Sequence, residues 1–349
     1  MKFDFVIGNP PYQDSIDVDS ENKTFMAPVY NLFMDASFQI GEHVELIHPA
    51  RFLFNAGQTP KAWNEKMLAD EHFKVLFYEA DGSQVFANTE IKGGIAITYR
   101  DKKASFGAIQ IFTKFPELNA ILHKVTSTRH YHGMNGTVIS RTAYRLTDAL
   151  HRDFPDAINR LSKGHAYDMS TNIFDRIPFA FFNQKPEDGK EYIQILGRED
   201  GGRSGRIYKY IRAEYVNHVV NLKKYKVLLA SANGNGEFGE TLATPIICQP
   251  NVGNTETFVS VGSFETEKEA QACLKYIQGK FSRALLGVLK VTQHITPDKW
   301  QYVPLQDFTT SSDIDWSQSI AQIDQQLYRK YGLTDEEIDF IETHVKEMT

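Results

Sequence analysis

An open α/β sheet, followed by an α+β region and a short helical tail, is the fold class this sequence predicts, and three observations predict it. Between Phe3 and Val125, short apolar runs alternate with stretches of helical periodicity, the pattern of strands and helices laid down in turn. From about His130 the segments shorten and glycine, threonine and aromatic residues become frequent, as in an α+β region. The last forty or so residues hold two helix-like stretches, Ser319 to Tyr331 and a second opened by Thr334-Asp335-Glu336-Glu337 with an apolar stripe at Ile338, Ile341 and Val345. These shifts divide the chain into 1–129, 130–310 and 311–349.

Taken in order, Phe3 to Ile7 reads as a buried strand, Ala27 to Gln39 as an amphipathic helix and Val44 to Ile47 as a second strand. Pro60 to Leu68 is expected to be a helix with proline in its first turn and Thr59 as its cap. Phe73 to Glu79 and Gly94 to Tyr99 read as strands, and a polar hairpin at Asp101 to Lys103 leads towards a further extended run, Ile109 to Phe112. Pro116 to Val125 reads as a helix that either closes this region or links it to the next, and Glu267 to Gly279 is helix-like in the second.

Composition sets the outer bounds. With 349 residues, 42% of them hydrophobic, the chain has room for about two domains with substantial cores. It has no run of 18 apolar residues and its polar start is unlike a secretory signal, so no membrane partner and a cytoplasmic location are expected. Cys248 and Cys273 are too few for a disulfide framework and have no metal-ligand spacing, which predicts two buried free thiols and no metal. The net charge of −6 is concentrated after Thr310, where nine acidic residues face three basic ones. The remainder is balanced.

The first apolar run ends in Asn9-Pro10-Pro11-Tyr12, and these residue types suit one kind of chemistry. The amino nitrogen of a nucleobase is a poor nucleophile because its lone pair is delocalised into the ring. Two hydrogen-bond acceptors can localise that pair: the side-chain oxygen of Asn9 takes one N–H and the backbone carbonyl of Pro10 the other. Pro10 and Pro11 fix φ and hold the preceding residue out of the helical region, so the carbonyl is aimed in advance. Tyr12 offers a flat face for an extruded base. The plainer reading is a proline-stiffened turn after a strand, with Tyr12 a half-buried aromatic.

Residues 3 to 13, Phe-Asp-Phe-Val-Ile-Gly-Asn-Pro-Pro-Tyr-Gln, resemble the catalytic motif of the adenine-N6 DNA methyltransferases, and within them the Eco57I-like restriction-modification methylases. The likeness continues at Val29 to Asp35, at Leu46 to Phe52 and at Val85 to Gly94. The resemblance implies a partial Rossmann-like methyltransferase sheet, a target-recognition domain over 130–310, and methyl transfer from S-adenosylmethionine to an adenine flipped out of double-stranded DNA. It also implies that Phe86 stacks on the face of the adenine opposite Tyr12, although Phe86 also reads as an ordinary core aromatic.

In this family a glycine-rich turn and an acidic residue for S-adenosylmethionine precede the motif, whereas eight residues precede Asn9 here. Three explanations are open: a partner chain supplies the cofactor motif, a longer gene product carries it in an N-terminal segment, or the chain is a catalytically inactive DNA-binding module. Gly234-Asn235-Gly236-Glu237-Phe238-Gly239 matches a dinucleotide glycine pattern, but Pro245 and Pro250 make the following stretch extended, where a true fingerprint opens a helix. It reads as a loop of the recognition region.

Between Lys190 and Lys226 nine basic residues face four acidic ones. Arg198, Arg203, Arg206, Lys209 and Arg212 alternate with Tyr208 and Tyr210, and Gly201, Gly202 and Gly205 allow close backbone approach. That suits a phosphate-binding surface, or equally a solvated hairpin. Lys280, Arg283 and Lys290 lie at helical spacing and are expected either to face DNA or to form a wet helix face.

Overall fold

The first apolar run folds as β1 (Phe3–Gly8), which pairs in parallel with β2 (Gly41–Pro49) from Phe3 opposite Gly41 to Gly8 opposite Leu46. Between them runs α1 (Tyr30–Ile40). It starts later than its periodicity predicts because Pro28 forms an isolated antiparallel bridge with Gln13, and the Val29 N–H donates to the Tyr12 carbonyl at 3.2 Å. Gly41 ends α1 and opens β2 with no loop. A Cβ there would lie 2.7 Å from Val44 and 2.8 Å from Val6, so the chain can reverse this tightly only at glycine. The computed structural model describes residues 2–13, 27–55, 58–86, 91, 93–198 and 205–348.

Strand β3 (Phe73–Glu79) and β4 (Ile95–Asp101) complete a four-stranded sheet in the order β1-β2-β4-β3, with β4 antiparallel to both neighbours. Because side chains alternate across a pleated strand, Val6, Val44, Leu46, His48, Ala96 and Thr98 share one face. Met34 and Tyr30 of α1, and Trp63 and Met67 of α2 (Lys61–Ala69), close over that face to form the core. Thr59 does not cap α2. Pro60 takes that position, and the Thr59 hydroxyl donates to the Asn64 side chain at 2.7 Å. The run Ile109 to Phe112 is no strand either: Gln110 has φ 55, while Ile109 and Phe112 lean onto the core from an irregular segment.

The chain divides into two compact units, Met1–Asn119 and Ala120–Thr349, with the helix α3 (Pro116–Thr126) across the division. The second unit is mixed α/β. It holds β5 (Val138–Ile139), three short helices, α4 (Asp148–Asp153), α5 (Ala157–Arg160) and α6 (Ile173–Arg176), then β6 (Tyr192–Arg198), β7 (Arg206–Arg212), β8 (Tyr225–Ala230), β9 (Ile246–Cys248), β10 (Val252–Asn254) and β11 (Phe258–Phe264). Two sheets result, β10-β6-β7 and β5-β11-β8-β9. Both cysteines are buried free thiols.

Helices α7 (Glu267–Gln278), α8 (Lys280–Leu286), α9 (Ile320–Lys330) and α10 (Asp335–His344) finish the chain, and capping boxes at Ser319 and Thr334 start the last two. Asp324 of α9 is buried and receives the backbone N–H groups of Lys280 and Phe281 at 2.8 and 3.1 Å, capping α8 from another helix. No helix among the described residues is long and apolar enough to cross a membrane.

Two buried groups make the units respond oppositely to acid. Burial holds His48 neutral and lowers its pKa to about 4. Its Nδ1–H donates to the Pro49 carbonyl at 3.1 Å, and Nε2 accepts from Thr98 at 2.7 Å. Burial raises Asp324 to about 6, against the two backbone N–H donors and Arg283, with Glu342 adding to the rise. A base depressed on folding contributes stability above its unfolded pKa and loses it as pH falls towards the folded value. An acid raised on folding is most favourable below its unfolded pKa and loses that contribution as pH rises through the folded value. Between pH 7 and 4.5 the first unit should therefore lose roughly 2–3 kcal/mol and the second gain roughly 2 kcal/mol from these groups. Amide hydrogen exchange, followed separately for residues 2–119 and 120–348 at the two pH values, measures both; parallel shifts in the two units would contradict the assignment.

Candidate active site

The motif residues stand immediately beyond the carboxyl end of β1. Asn9 and Pro11 are exposed, while Pro10 and Tyr12 are half-buried. Among the described residues, neither the Asn9 side chain nor the Pro10 carbonyl takes part in a hydrogen bond. Two acceptors on consecutive residues are thus without a donor among the described residues. The turn is anchored from behind by the bond from Val29 N–H to the Tyr12 carbonyl, which ties it to the first turn of α1.

Tyr12 and Phe86, far apart in sequence, are brought into contact. Their ring centroids are 6.5 Å apart with planes at 62°, an edge-to-face pair. A base held between two parallel faces needs about 7 Å from ring to ring, two contacts of ~3.5 Å, so the expected sandwich is closed in this arrangement. The Tyr12 hydroxyl is buried without a hydrogen-bond partner among the described residues, and burial pushes its pKa up. Residues 87–90 of the expected hairpin entry lie outside the described residues.

Two neighbours of the motif were not singled out by sequence reasoning. Asn31, in the first turn of α1, is buried with a side-chain oxygen that has no partner among the described residues, a cost of roughly 1–3 kcal/mol that a packed interior seldom tolerates. His48 is stacked on Tyr30 with centroids 5.8 Å apart and planes at 7°. The signals were an asparagine on the apolar face of a helix and a histidine between Ile47 and Pro49 on an apolar strand.

The basic residues are dispersed by the fold. The pleat of β7 sends Arg206, Tyr208, Tyr210 and Arg212 to one face and Lys209 to the other, where its ammonium lies 5.3 Å from the ring of the core residue Phe174. Arg212 is engaged by Asp153, Asp188 and Glu214 at 3.6, 3.7 and 3.8 Å. Arg198 and Arg206 sit directly opposite each other at the end of the strand pair that adjoins residues 199–204. Arg206 also donates to the Thr244 carbonyl and lies over Phe258. Arg203, Gly201 and Gly202 are outside the described residues.

Helix α8 overturns a further expectation. Arg283 and Lys290 are each only 3% exposed and cannot meet DNA. Arg283 donates to the carbonyls of Gln278, Glu240 and Lys346, and Lys290 to those of Asn233 and Thr292 and to the Glu240 carboxylate. Lys280 is tied to the Glu342 carboxylate of α10 at 2.6 Å. These cations bind the C-terminal helices and the 233–240 loop together.

The glycine-rich loop itself is occupied by the chain. A Cβ at Gly234 would collide with the Glu240 carboxylate, one at Gly236 with the backbone of Val291 and Thr292, and one at Gly239 with the His344 carbonyl. No helix follows it before α7. It does not fit a cofactor cradle.

Residues 1–86 match the family described as Eco57I restriction-modification methylase. A protein of Mycoplasma pneumoniae described as an uncharacterized adenine-specific methylase is 30% identical over 95 residues, 27% of this chain and 22% of that protein. The N-terminal segment is thus similar to Eco57I-like and adenine-specific methylase sequences. This Eco57I-like segment spans β1 to Phe86 and so contains both the Asn9 turn and its aromatic neighbour. The match covers about a fifth of the length of the Mycoplasma relative. Solved structures with similarity include the type IIG restriction endonuclease BpuSI, at 9% identity and TM-score 0.30 over 93% of this chain and 50% of that one. The type IIL restriction-modification enzyme MmeI, solved in complex with DNA, gives 8% identity and TM-score 0.27 over 99% of this chain and 55% of that one.

Proposed function

We propose that this chain is the acceptor-base and DNA-reading part of a DNA adenine-N6 methyltransferase of a restriction-modification system. The observation that carries the reading is the pair of unengaged acceptors, Asn9 Oδ1 and the Pro10 carbonyl, at the carboxyl end of β1 within the Eco57I-like segment.

An adenine flipped from duplex DNA enters between Tyr12 and Phe86, which part to admit it. Its N6 amine donates one hydrogen to Asn9 and the other to Pro10. The two bonds pull the nitrogen towards tetrahedral geometry and free its lone pair from the ring, so no strong base is needed. Arg198 and Arg206, paired across β6 and β7 where the strands adjoin residues 199–204, are the cations this reading assigns to phosphate.

The family match implies S-adenosylmethionine as methyl donor, and the glycine-rich loop at 234–239 does not fit it, being filled by its own chain. On this proposal the donor site comes from a partner or an N-terminal segment. That same observation favours the second reading, a catalytically inactive DNA-binding module.

One experiment separates the two. The full chain is incubated with DNA, labelled S-adenosylmethionine and the polypeptide encoded immediately upstream of this reading frame, and the nucleosides are analysed. N6-methyladenine as the sole labelled product is expected. DNA binding without any labelled nucleoside would leave the binding module, and label on cytosine would reject the assigned target.

A further inference from the structure

Two orphaned atoms flank the Asn9 turn, and they are complementary. Among the described residues of the first unit, the Tyr12 hydroxyl and the Asn31 side-chain oxygen are the buried side-chain polar atoms that lack a hydrogen bond. A phenol can donate, whereas an amide oxygen can only accept. Where the two meet, the direction of the bond is fixed: Tyr12 donates and Asn31 accepts. Other donors of the same core are engaged elsewhere. Trp63 Nε1 donates to Asp35 at 3.0 Å, the Thr59 hydroxyl to Asn64 at 2.7 Å and the Thr98 hydroxyl to His48 at 2.7 Å.

The backbone brings the two residues together. Gln13 bridges Pro28, and the Val29 N–H donates to the Tyr12 carbonyl, so Asn31 lies two residues beyond the partner of Tyr12, in the first turn of α1. Each of those two steps spans about 5 Å, which puts the two Cα atoms within roughly 10 Å of each other. A tyrosine and an asparagine that turn inwards close that gap. What keeps them apart is the ring pair: Tyr12 leans edge-to-face on Phe86, with centroids 6.5 Å apart and planes at 62°. Each orphaned atom costs at least as much as such an aromatic contact supplies. A base seated between the two rings requires them parallel and about 7 Å apart, so its entry turns a ring.

We infer that Asn31 is a positioning residue for Tyr12: once an adenine parts the rings, the Tyr12 hydroxyl donates to Asn31 Oδ1, and that bond holds the ring broadside to the base. The inference rests on the proposed function for the adenine, and on the two orphaned atoms for the bond. Opening the site then exchanges one aromatic contact for a hydrogen bond and a stacked base. Asn31 touches no reacting atom and acts through the ring alone.

The test reads adenine capture without methyl transfer. Adenosine is titrated by calorimetry into the full chain and into four variants: Tyr12→Phe, Asn31→Leu, the two combined, and Asn31→Asp. Tyr12→Phe and Asn31→Leu should each weaken binding about fivefold, the worth of one net hydrogen bond. The double variant should bind no worse than either alone, because both remove the same bond. Asn31→Asp keeps an acceptor oxygen and should bind within about twofold of the unsubstituted chain, which a merely space-filling role for Asn31 does not require. Tyr12→Phe should leave the urea unfolding midpoint unchanged or raised, since the hydroxyl it removes is unbonded in the resting protein. Losses that multiply in the double variant, full affinity with Tyr12→Phe, no rescue by Asn31→Asp, or a lowered midpoint with Tyr12→Phe would each overturn the inference and leave the adenine pocket standing. No adenosine binding by the unsubstituted chain would remove the proposed function and the inference with it.

Discussion

On the proposed function, Asn9→Ala should lower the rate of methyl transfer by on the order of 10²–10³-fold or more in the complemented enzyme, with DNA affinity changed less than about twofold, because it would remove one of two acceptors for the reacting amine. Asn9 is exposed and its side chain makes no hydrogen bond among the described residues, so the substitution costs the fold almost nothing. Single-turnover kinetics and a DNA titration on the same preparation separate the two effects. Asn9→Asp, which keeps an acceptor, should retain more activity than the alanine variant. Loss of DNA affinity with transfer intact would reject the role given to this residue.

Glu240→Ala should destabilise the second unit by about 3–5 kcal/mol, the usual cost of stranding one member of a buried ion pair. Lys290 would keep only the carbonyls of Asn233 and Thr292, at 3.0 and 3.2 Å, for a buried ammonium. Glu240 also receives the Asn235 N–H at 3.0 Å, so the loop loses an anchor at the same time. Replacing both members, Glu240→Leu with Lys290→Met, should recover most of the loss. Urea unfolding midpoints of the three proteins give the comparison. The same set tests the correction at Lys290: Lys290→Met should leave the salt dependence of DNA binding unchanged, whereas removing a phosphate contact flattens the slope by about 0.9.

The elements that sequence reading located are those in which one periodicity dominates. Phe3 to Ile7, Phe73 to Glu79 and Pro116 to Val125 lie within a residue or so of the observed β1, β3 and α3. It went astray where a single backbone conformation overrode the pattern, as at Gln110 with its left-handed φ, or where proline displaced an expected cap, as at Thr59. The Asn9 turn could be singled out from sequence because the chemistry proposed for it is local: four consecutive residues would supply both acceptors and a ring. Arg283 and Lys290 were illegible for the opposite reason. Whether a cation faces solvent or a cage of carbonyls depends on Glu240 and Lys346, distant in sequence and brought near only by folding.

The touching rings of Tyr12 and Phe86 set a threshold at the doorway. On the proposed function, every adenine that enters must first prise apart two aromatic side chains, before a single N–H meets Asn9. A nucleotide already loosened from its helix, in a mismatch or a frayed end, arrives with that work partly done, while a well-stacked one must supply it in full. Discrimination among sites would then begin in the readiness of the DNA to open, ahead of any reading of its letters.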